Sequence, residues 1–342
     1  MVLFGVDIQE RPLIITEIGI NHNGDVELAK EMIDAAKESG ADVVKFQTFS
    51  PERLFVESFA KSRRIKFGDE EMTLWEFLKK VSLSWEDTEK LKEYAEKKGI
   101  SFLSTPFSFE DADFLESIGV EAFKIASTDL SNYPFLEHIA KKGRPVILSS
   151  GTSTLAEIEK AINILKNHNV NVVLLHCVSL YPADPEKVHL RSIQTLRKIF
   201  KVPVGFSDHT VGIHIPIAAI TLGAQVIEKH FTIDRSLPGP DQVCSMTPDE
   251  LKLLRKAADE VWKALGKEWK EMSEEEMEVA RTARRSIVSK DEIKKDEVIT
   301  IEKVTFKRPG TGIEPEHISH IIGKTAKIDI KKDEIIRWEF LE

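Results

Sequence analysis

Two histidines stand near the ends of neighbouring apolar segments in the middle of the chain. His209 follows the segment VPVGF, and His230 lies near the end of QVIEKHF, with the helix-like IHIPIAAITLGA between them. Adjacent parallel strands lie about 4.8 Å apart, so two histidines at one height could share a metal ion. Asp241 follows in the loop sequence PGPD, which can fold back over the same rim. The alternative is that both histidines are half-buried and bonded to backbone carbonyls.

Two lysines lie inside apolar segments, Lys45 in VVKFQ and Lys124 in AFKIAS. A buried ammonium is costly unless it is paired. One of these lysines could pair with Glu17, which ends another apolar segment. Together with hydroxyl residues at other segment ends, the lysines would form a site for phosphate and carboxylate groups. A Schiff-base lysine, as in class I aldolases, is the chemical alternative.

The elements that position these residues alternate regularly. Helix-like segments end in glycine, and an apolar segment begins one to four residues later, at Gly40, Gly99, Gly119, Gly143 and Gly223. Eight such apolar segments predict eight strands: LIITEIG, VVKFQ, SFLST, AFKIA, VILSS, VVLLHC, VPVGF and VIEKHF. Eight alternating units indicate a (β/α)8 TIM barrel over residues 1–265, whose active site would lie at the carboxyl ends of the strands. An open doubly wound sheet is the alternative, although no GxGxxG or P-loop sequence favours it.

The chain changes character after the last barrel helix. That helix is predicted to begin at Thr247-Pro-Asp-Glu250, a capping box with proline at the first helical position. Residues 266–283 are highly charged and are predicted to be a linker that begins as a helix. From residue 284 to 342 the sequence predicts a small β-rich module, in which IKKDEVI at 293–299 and IKKDEII at 330–336 indicate two related hairpins or corners.

Composition excludes several classes of protein. The 342 residues carry a net charge of −9, which excludes a nucleic-acid partner on electrostatic grounds. Two cysteines give no disulfide framework, which is typical of a reducing compartment. The amino-terminal residues lack an export pattern, and no apolar run approaches the roughly 18 residues that a membrane helix needs. We therefore expect a cytoplasmic protein.

Nine short motifs, in order along the chain, resemble those of the sialic acid synthase family. They are TEIGINHNG (16–24), KFQT (45–48), STPF (104–107), KIAS (124–127), YP (181–182), GFSDHT (205–210), EKHFT (228–232), PGPD (238–241) and KRPG (307–310). The resemblance covers nearly the whole chain. It implies that the barrel is followed by the family's antifreeze-like domain, also called SAF.

The resemblance also implies an activity. The family condenses phosphoenolpyruvate with an open-chain N-acetylhexosamine, typically N-acetylmannosamine, to give N-acetylneuraminate, and releases phosphate by C–O cleavage. It needs a divalent metal that polarises the aldehyde, most often Mn²⁺, with Mg²⁺ or Co²⁺ as alternatives. Serine at position 179, where bacterial sialic acid synthases often have asparagine, also occurs in synthases of related nonulosonic acids. Synthesis of a legionaminic or pseudaminic type of acid is therefore the alternative, although PGPDQVCSM resembles the bacterial N-acetylneuraminate type.

The family's site residues can be carried over by motif. The implied metal ligands are His209 and His230. Phosphoenolpyruvate would be held by Lys45, Thr105, Lys124, Ser127 and Ser207. The sugar would face Glu17, Gln47, Ser179, Tyr181 and Asp241, with Arg308 of the SAF domain on its N-acetyl group. Glu17, Lys45, Lys124, Tyr181 and Asp241 are the implied catalytic residues.

Two further expectations follow from the resemblance. The family forms a domain-swapped homodimer, which implies that Arg308 completes the site of the partner chain. The more remote functional readings are a synthase that uses a phosphorylated sugar such as arabinose 5-phosphate, and a non-catalytic glycan-binding protein with a degenerate barrel. The motifs at the strand ends are all present, which argues against a degenerate barrel.

Overall fold

The computed structural model describes residues 1–342 and separates them into two compact units, Met1–Gly266 and Lys267–Glu342. The first unit contains the eight predicted strands, each an apolar segment that is buried along almost its whole length. They are β1 (Leu13–Gly19), β2 (Val43–Thr48), β3 (Ser101–Pro106), β4 (Phe123–Ile125), β5 (Val146–Ser149), β6 (Val172–Cys177), β7 (Val204–Asp208) and β8 (Val226–His230).

The strands form one parallel sheet in the order β3-β2-β1-β8-β7-β6-β5-β4. Its two edge strands, β3 and β4, lie side by side without a hydrogen-bonded ladder between them. The sheet is therefore a nearly closed barrel, and the predicted (β/α)8 fold is confirmed. The alternative of an open doubly wound sheet is wrong, since its edges would lie far apart.

One main helix follows each strand. The helices are α1 (Val26–Glu38), α2 (Trp85–Lys98), α3 (Phe109–Ser117), α4 (Tyr133–Lys141), α5 (Leu155–Asn167), α6 (Ser192–Phe200), α7 (His214–Thr221) and α8 (Pro248–Leu265). The predicted capping box at the start of α8 is present, with Thr247 and Glu250 as its members. No helix in the chain combines the length and the apolar character needed to cross a membrane.

The glycines predicted to end the helices all have a positive φ, between 67° and 99°. Two helix exits that lack glycine use the same left-handed conformation, at Asn169 with φ 59° and Lys201 with φ 51°. All of these helices therefore end at a residue with left-handed backbone conformation. Glycine adopts that conformation with the least strain, but Asn169 and Lys201 adopt it too.

The barrel interior changes from apolar to charged along the strands. At the amino end, residues such as Ile15, Val43 and Val226 pack on a short hairpin, Val2–Leu3 with Val6–Asp7, that closes the bottom. Two residues further along four strands, the same inward face carries a charged group: Glu17, Lys45, Lys124 and Glu228. Because side chains alternate with a period of two, all four charges lie on the inward face, and their ion pairs show that they meet in one layer. The opposite faces of the strands pack against the helices in the main apolar core.

An insertion between β2 and α2, which we call the excursion, was not predicted from the sequence. It holds the helices Pro51–Leu54, Glu57–Ser62 and Leu74–Val81, and an antiparallel hairpin of Arg64–Phe67 with Glu70–Thr73. A small apolar cluster of its own, including Phe49, Phe67 and Phe77, supports it. The hairpin strands are four residues long and largely exposed, and the alternation of Ile65 and Phe67 with polar residues is too short to predict a strand by itself.

The second unit has an aliphatic core built mainly from isoleucine. It contains the helix Glu274–Ala283, the antiparallel strands Ser286–Ser289 and Val304–Lys307, and the short helix Ile318–Ile321. The predicted linker is therefore helical in its second half and not at its beginning.

The internal repeat forms two equivalent corners. Asp296 and Asp333, which hold the same place in each copy, have φ values of 64° and 65°. The amides of Ile293 and Ile330 each donate a hydrogen bond to the carbonyl of the other, at 2.9 and 2.8 Å. The expectation of two related corners is therefore confirmed, and the two copies pair with each other.

Gly24 gives a test of how tightly the excursion is held against the barrel. Its φ is +83°, and a Cβ added there would lie 2.1 Å from the carbonyl oxygen of Lys80. We expect Gly24→Ala to lower the free energy of unfolding by about 3 kcal/mol or more, combining left-handed strain with a backbone clash. Gly143→Ala is the matched control, because its φ is +67° and nothing lies within 4 Å of the added Cβ. It should lose only about 1 kcal/mol in urea unfolding. Equal losses in the two variants would show that the contact with Lys80 is unimportant.

Candidate active site

The carboxyl ends of the strands enclose a cavity of about 430 Å³. Most of the residues predicted from the sequence line it: Glu17, Lys45, Gln47, Thr105, Lys124, Ser127, Ser179, Tyr181, Ser207, His209 and His230. Asp241 lies just outside this lining, with Oδ2 3.8 Å from Nδ1 of His230. Arg308 belongs to the second unit, where it follows the strand Val304–Lys307 and is exposed. It makes no ion pair or hydrogen bond within the chain.

The floor of the cavity consists of four buried charged side chains, which we call the ionic floor: Glu17, Lys45, Lys124 and Glu228. Lys45 Nζ lies 2.5 Å from a carboxylate oxygen of Glu17 and 3.9 Å from one of Glu228. Lys124 Nζ lies 3.6 Å from the other oxygen of Glu228. The pairing of a lysine with Glu17, left open by the sequence, is therefore present. It does not remove the lysines from the cavity, since both ammonium groups still line it.

Polar neighbours complete the coordination of the ionic floor. Lys45 donates to Thr105 Oγ1 at 3.2 Å, and Lys124 donates to Ser149 Oγ at 2.7 Å. Ser207 Oγ donates to Glu228 at 3.0 Å, and Gln47 Nε2 donates to Glu17 at 2.9 Å. These four neighbours come from four different strands, so the floor exists only when the barrel is assembled.

Burial and neighbouring charge shift the four pKa values in different directions. Burial raises the pKa of Glu17 despite the nearby ammonium of Lys45. Burial alone would lower the pKa of Lys45, but the carboxylates of Glu17 and Glu228 outweigh it and raise the pKa. Burial lowers the pKa of Lys124. Burial would raise the pKa of Glu228, yet the two ammonium groups bring this pKa below its usual value. The result is one carboxyl group suited to holding a proton beside another suited to ionisation.

A group of hydroxyls lies beside Lys124 and is held together by Gly151. The Gly151 amide donates to Ser127 Oγ at 3.0 Å. A Cβ at position 151 would lie 2.3 Å from Ser179 Oγ and 2.7 Å from Ser127 Oγ, so only glycine allows these groups to approach. Hydroxyl donors next to a buried ammonium form a cradle for an anion such as phosphate.

The two histidines lie on the wall of the cavity with their ring centroids 5.5 Å apart. Each is only 5% exposed, so they lie inside the cavity and not on an open rim as the sequence suggested. His209 Nδ1 lies 2.8 Å from the carbonyl of Val178, which accepts its proton, so that in the neutral ring Nε2 carries the lone pair. The half-exposed ring of Tyr181 packs on His209 with centroids 4.0 Å apart.

The donor set fits a divalent cation. His230 Nδ1 is buried without a hydrogen-bond partner, an arrangement that is costly unless the nitrogen binds a ligand. Burial lowers the pKa of His230 to about 4, so this imidazole is neutral near pH 7, as a metal ligand must be. The carbonyl bond to His209 is the kind of contact that orients a metal-binding imidazole.

Glu228 is the main site residue missing from the sequence prediction. A signal for it exists in the segment VIEKHF, where Glu228 and His230 are two residues apart and so share one face of the strand. The reasoning that singled out Lys45 and Lys124, a charge inside an apolar strand, applies equally to Glu228. His22, which follows β1, and His176, which lies within β6, do not line the cavity. His22 Nδ1 accepts from the Gly24 amide at 3.0 Å, and His176 donates to the carbonyl of Val188 at 2.6 Å.

Comparison with known proteins places this cavity in a family. The model of the NeuB family matches residues 32–270, and that of the SAF domain matches residues 284–342. The N,N'-diacetyllegionaminic acid synthase of Legionella pneumophila is 44% identical, over 96% of this chain and 94% of that protein. The human N-acetylneuraminate-9-phosphate synthase is 36% identical, over 96% and 92% of the two chains.

A solved structure agrees with both the fold and the family. The N-acetylneuraminic acid synthetase of Leptospira borgpetersenii is 38% identical and superposes with a TM-score of 0.75, covering 82% of this chain and 94% of that one. The NeuB model spans the strands that carry Lys45, Lys124, Glu228 and the two histidines. The chain therefore belongs to the NeuB family of sialic, legionaminic and pseudaminic acid synthases and carries a SAF domain.

Proposed function

We propose that this protein condenses phosphoenolpyruvate with the open-chain form of an acetamido hexose, giving a nonulosonic acid and inorganic phosphate. The observation that carries the proposal is one cavity in which two buried ammonium groups and a hydroxyl cradle lie beside two histidines suited to a metal. Family membership supports the same reaction.

The lysines and hydroxyls would hold the anionic substrate. Lys124 with Ser127, Ser179 and Gly151 offers a phosphate site, and Lys45 with Thr105 offers a second position for a carboxylate. Ser207 would contribute from the neighbouring strand, where its hydroxyl now donates to Glu228. Binding here would place the enol carbon of phosphoenolpyruvate in the centre of the cavity, within reach of the histidine wall.

Carbon three of phosphoenolpyruvate forms the new bond to the aldehyde carbon, water adds at carbon two, and phosphate leaves with its bridging oxygen. The water oxygen becomes the ketone oxygen of the product and gives up both protons, one to the aldehyde oxygen and the other to the departing phosphate. Glu17 is the residue we assign to the aldehyde proton, because burial raises its pKa and Gln47 fixes its carboxyl group. Tyr181 and Asp241 would face the sugar from the cavity mouth.

His209 and His230 would hold a divalent metal, and imidazole ligands favour Mn²⁺ over Mg²⁺, with Co²⁺ a further alternative. When bound, this metal would supply polarisation of the aldehyde carbonyl. Asp241 lies close enough to His230 to add negative charge beside the cation.

The acceptor we favour is the diacetamido hexose that yields N,N'-diacetyllegionaminic acid. The Legionella synthase of that acid is 44% identical, against 36% for the human 9-phosphate synthase. The cavity also contains no lysine or arginine besides Lys45 and Lys124, so it offers no spare cation for a phosphorylated sugar. N-acetylmannosamine is the second candidate, supported by the 38% identity to the Leptospira N-acetylneuraminic acid synthetase.

The reaction can be tested by phosphate release from phosphoenolpyruvate with Mn²⁺ and a panel of acceptors. We expect the highest kcat/KM with the diacetamido hexose, a lower value with N-acetylmannosamine, and the lowest with its 6-phosphate. Arabinose 5-phosphate is the control for the related phosphosugar synthases. Preference for the 6-phosphate would contradict the acceptor assignment, and no phosphate release with any sugar would contradict the reaction itself.

Metal dependence can be tested on the histidines. His209→Ala and His230→Ala should each lower activity by more than about 100-fold, because loss of mere partners of metal ligands already costs 10–100-fold. Chelation should inactivate the wild type, and added Mn²⁺ should restore it. His22→Ala is the control, since His22 lies outside the cavity lining. Full activity of an exhaustively metal-free preparation would exclude the metal site.

We further propose that Arg308 acts on the N-acetyl group in the partner's site of a domain-swapped homodimer. Arg308 is exposed and its side chain is unpaired within its own chain, so its guanidinium is available to another subunit. The segment 266–283 could span a long distance, at up to about 3.3 Å per residue where extended. A module of about 60 residues also gains stability by docking on a larger surface.

Subunit exchange provides the test. Lys45→Met and Arg308→Ala should both be inactive alone. After random reassortment half the dimers are mixed, and each contains one intact site of two, so activity should recover to roughly a quarter of wild type. Mass spectrometry would confirm exchange. Absence of recovery after confirmed exchange would show that Arg308 serves its own barrel.

A further inference from the structure

A second buried ion pair lies behind the histidine wall. Asp208 and Lys229 are opposite each other in the register of β7 and β8, and they are the last registered pair of these strands. Both side chains are 0% exposed. Neither lines the cavity, because the preceding pair, Ser207 and Glu228, occupies the inward face.

The contacts of this pair bracket His209. Lys229 Nζ donates to Asp208 Oδ2 at 2.7 Å and to the Thr210 carbonyl at 2.6 Å. The Thr210 amide donates to the other oxygen of Asp208 at 2.9 Å. Lys229, which precedes His230, therefore holds both neighbours of His209 in the chain, Asp208 and Thr210.

The ladder between the two strands ends at this point. Beyond the Asp208–Lys229 pair, His230 is held from its other side, where its carbonyl accepts from the Met246 amide at 2.8 Å. The carbonyl of His209 accepts from the Ala183 amide at 2.9 Å. The backbone ladder runs up to the Asp208–Lys229 pair, and the ion pair adds a side-chain link between the two histidine-bearing ends.

Stability alone does not account for such a pair. Taking two charges out of water costs several kcal/mol, and apolar replacements of similar volume are often neutral or stabilising. What a buried pair with three short contacts does provide is one fixed geometry for the chain around it.

We propose that the Asp208–Lys229 pair positions His209 and His230 for a shared divalent cation. The proposal rests on the metal site of the proposed function. The two residues are positioning residues and touch neither substrate nor metal. Their removal should weaken metal binding even where the fold survives.

The test is manganese binding to metal-stripped protein, measured by the electron paramagnetic resonance signal of free Mn²⁺. The double variant Asp208→Asn/Lys229→Met removes both charges, keeps an oxygen that can accept from the Thr210 amide, and keeps most of the lysine volume. We expect its dissociation constant for Mn²⁺ to rise about 10-fold or more, the range seen for outer partners of metal ligands. Its melting temperature without metal should stay close to that of the wild type.

Arg255→Met is the matched control. Arg255 is a largely buried arginine that pairs with Asp42 before the amino end of β2, far from the histidines in the barrel. It should lower the melting temperature and leave the Mn²⁺ dissociation constant unchanged. If the double variant does not fold, Asp208→Asn alone should show a smaller rise of the same sign.

The possible results distinguish the positioning role of the Asp208–Lys229 pair from the existence of the metal site. Wild-type Mn²⁺ affinity in a folded double or single variant overturns the positioning role alone. Failure of the wild type to bind Mn²⁺ overturns the metal site of the proposed function, and the positioning role with it. Weaker Mn²⁺ binding in Arg255→Met as well would show that the effect reflects general destabilisation, which also overturns the proposal.

Discussion

The interaction on which the site depends is the mutual neutralisation of four charged side chains inside the barrel. Lys45 and Lys124 would each be strongly unfavourable in this dry interior without the carboxylates of Glu17 and Glu228. Every ammonium has a carboxylate oxygen within 3.9 Å, and the four formal charges sum to zero. An apolar layer at this height, like the one below it, would be at least as stable. The charged layer is therefore best understood as a requirement of binding, accepted at some expense of stability.

This neutrality has a chemical implication for any anion that enters. Phosphoenolpyruvate would compete with Glu17 and Glu228 for the same ammonium groups, and so would not gain their full attraction. Hydroxyl donors around Gly151 and a cation between the histidines would offset part of the added negative charge. The charges of the site would therefore favour phosphoenolpyruvate bound together with a metal cation. Without the cation, we expect phosphate alone to bind weakly.

Much of the barrel could be predicted from sequence because its strands are apolar runs with polar ends. The residues at those ends, including Lys45, Lys124, His209 and His230, could be named because a barrel collects strand ends at one face. Glu228 was missed although VIEKHF places it on the strand face of His230, because only the ion pairs with Lys45 and Lys124 show what a buried carboxylate does there. The excursion between β2 and α2 was missed because its hairpin strands are only four residues long and largely exposed, too short for a clear pattern. The position of Asp241 beside His230 depends on how one long loop folds, which no local pattern determines.

The reciprocal pairing of the two repeated corners has a consequence for biosynthesis. Ile293 must wait for Ile330 to emerge from the ribosome, since each supplies the other's hydrogen-bond partner. The barrel likewise depends on a late part of the chain, because β1 pairs with β8 and the sheet cannot close until residue 230 has been made. Chains fold vectorially during translation, amino-terminal parts first. The last barrel helix ends at Leu265, so the barrel would be complete about 65 residues of translation before Ile330 is available to the SAF domain. A nascent chain would spend that interval with a finished cavity and an unfinished carboxyl-terminal module.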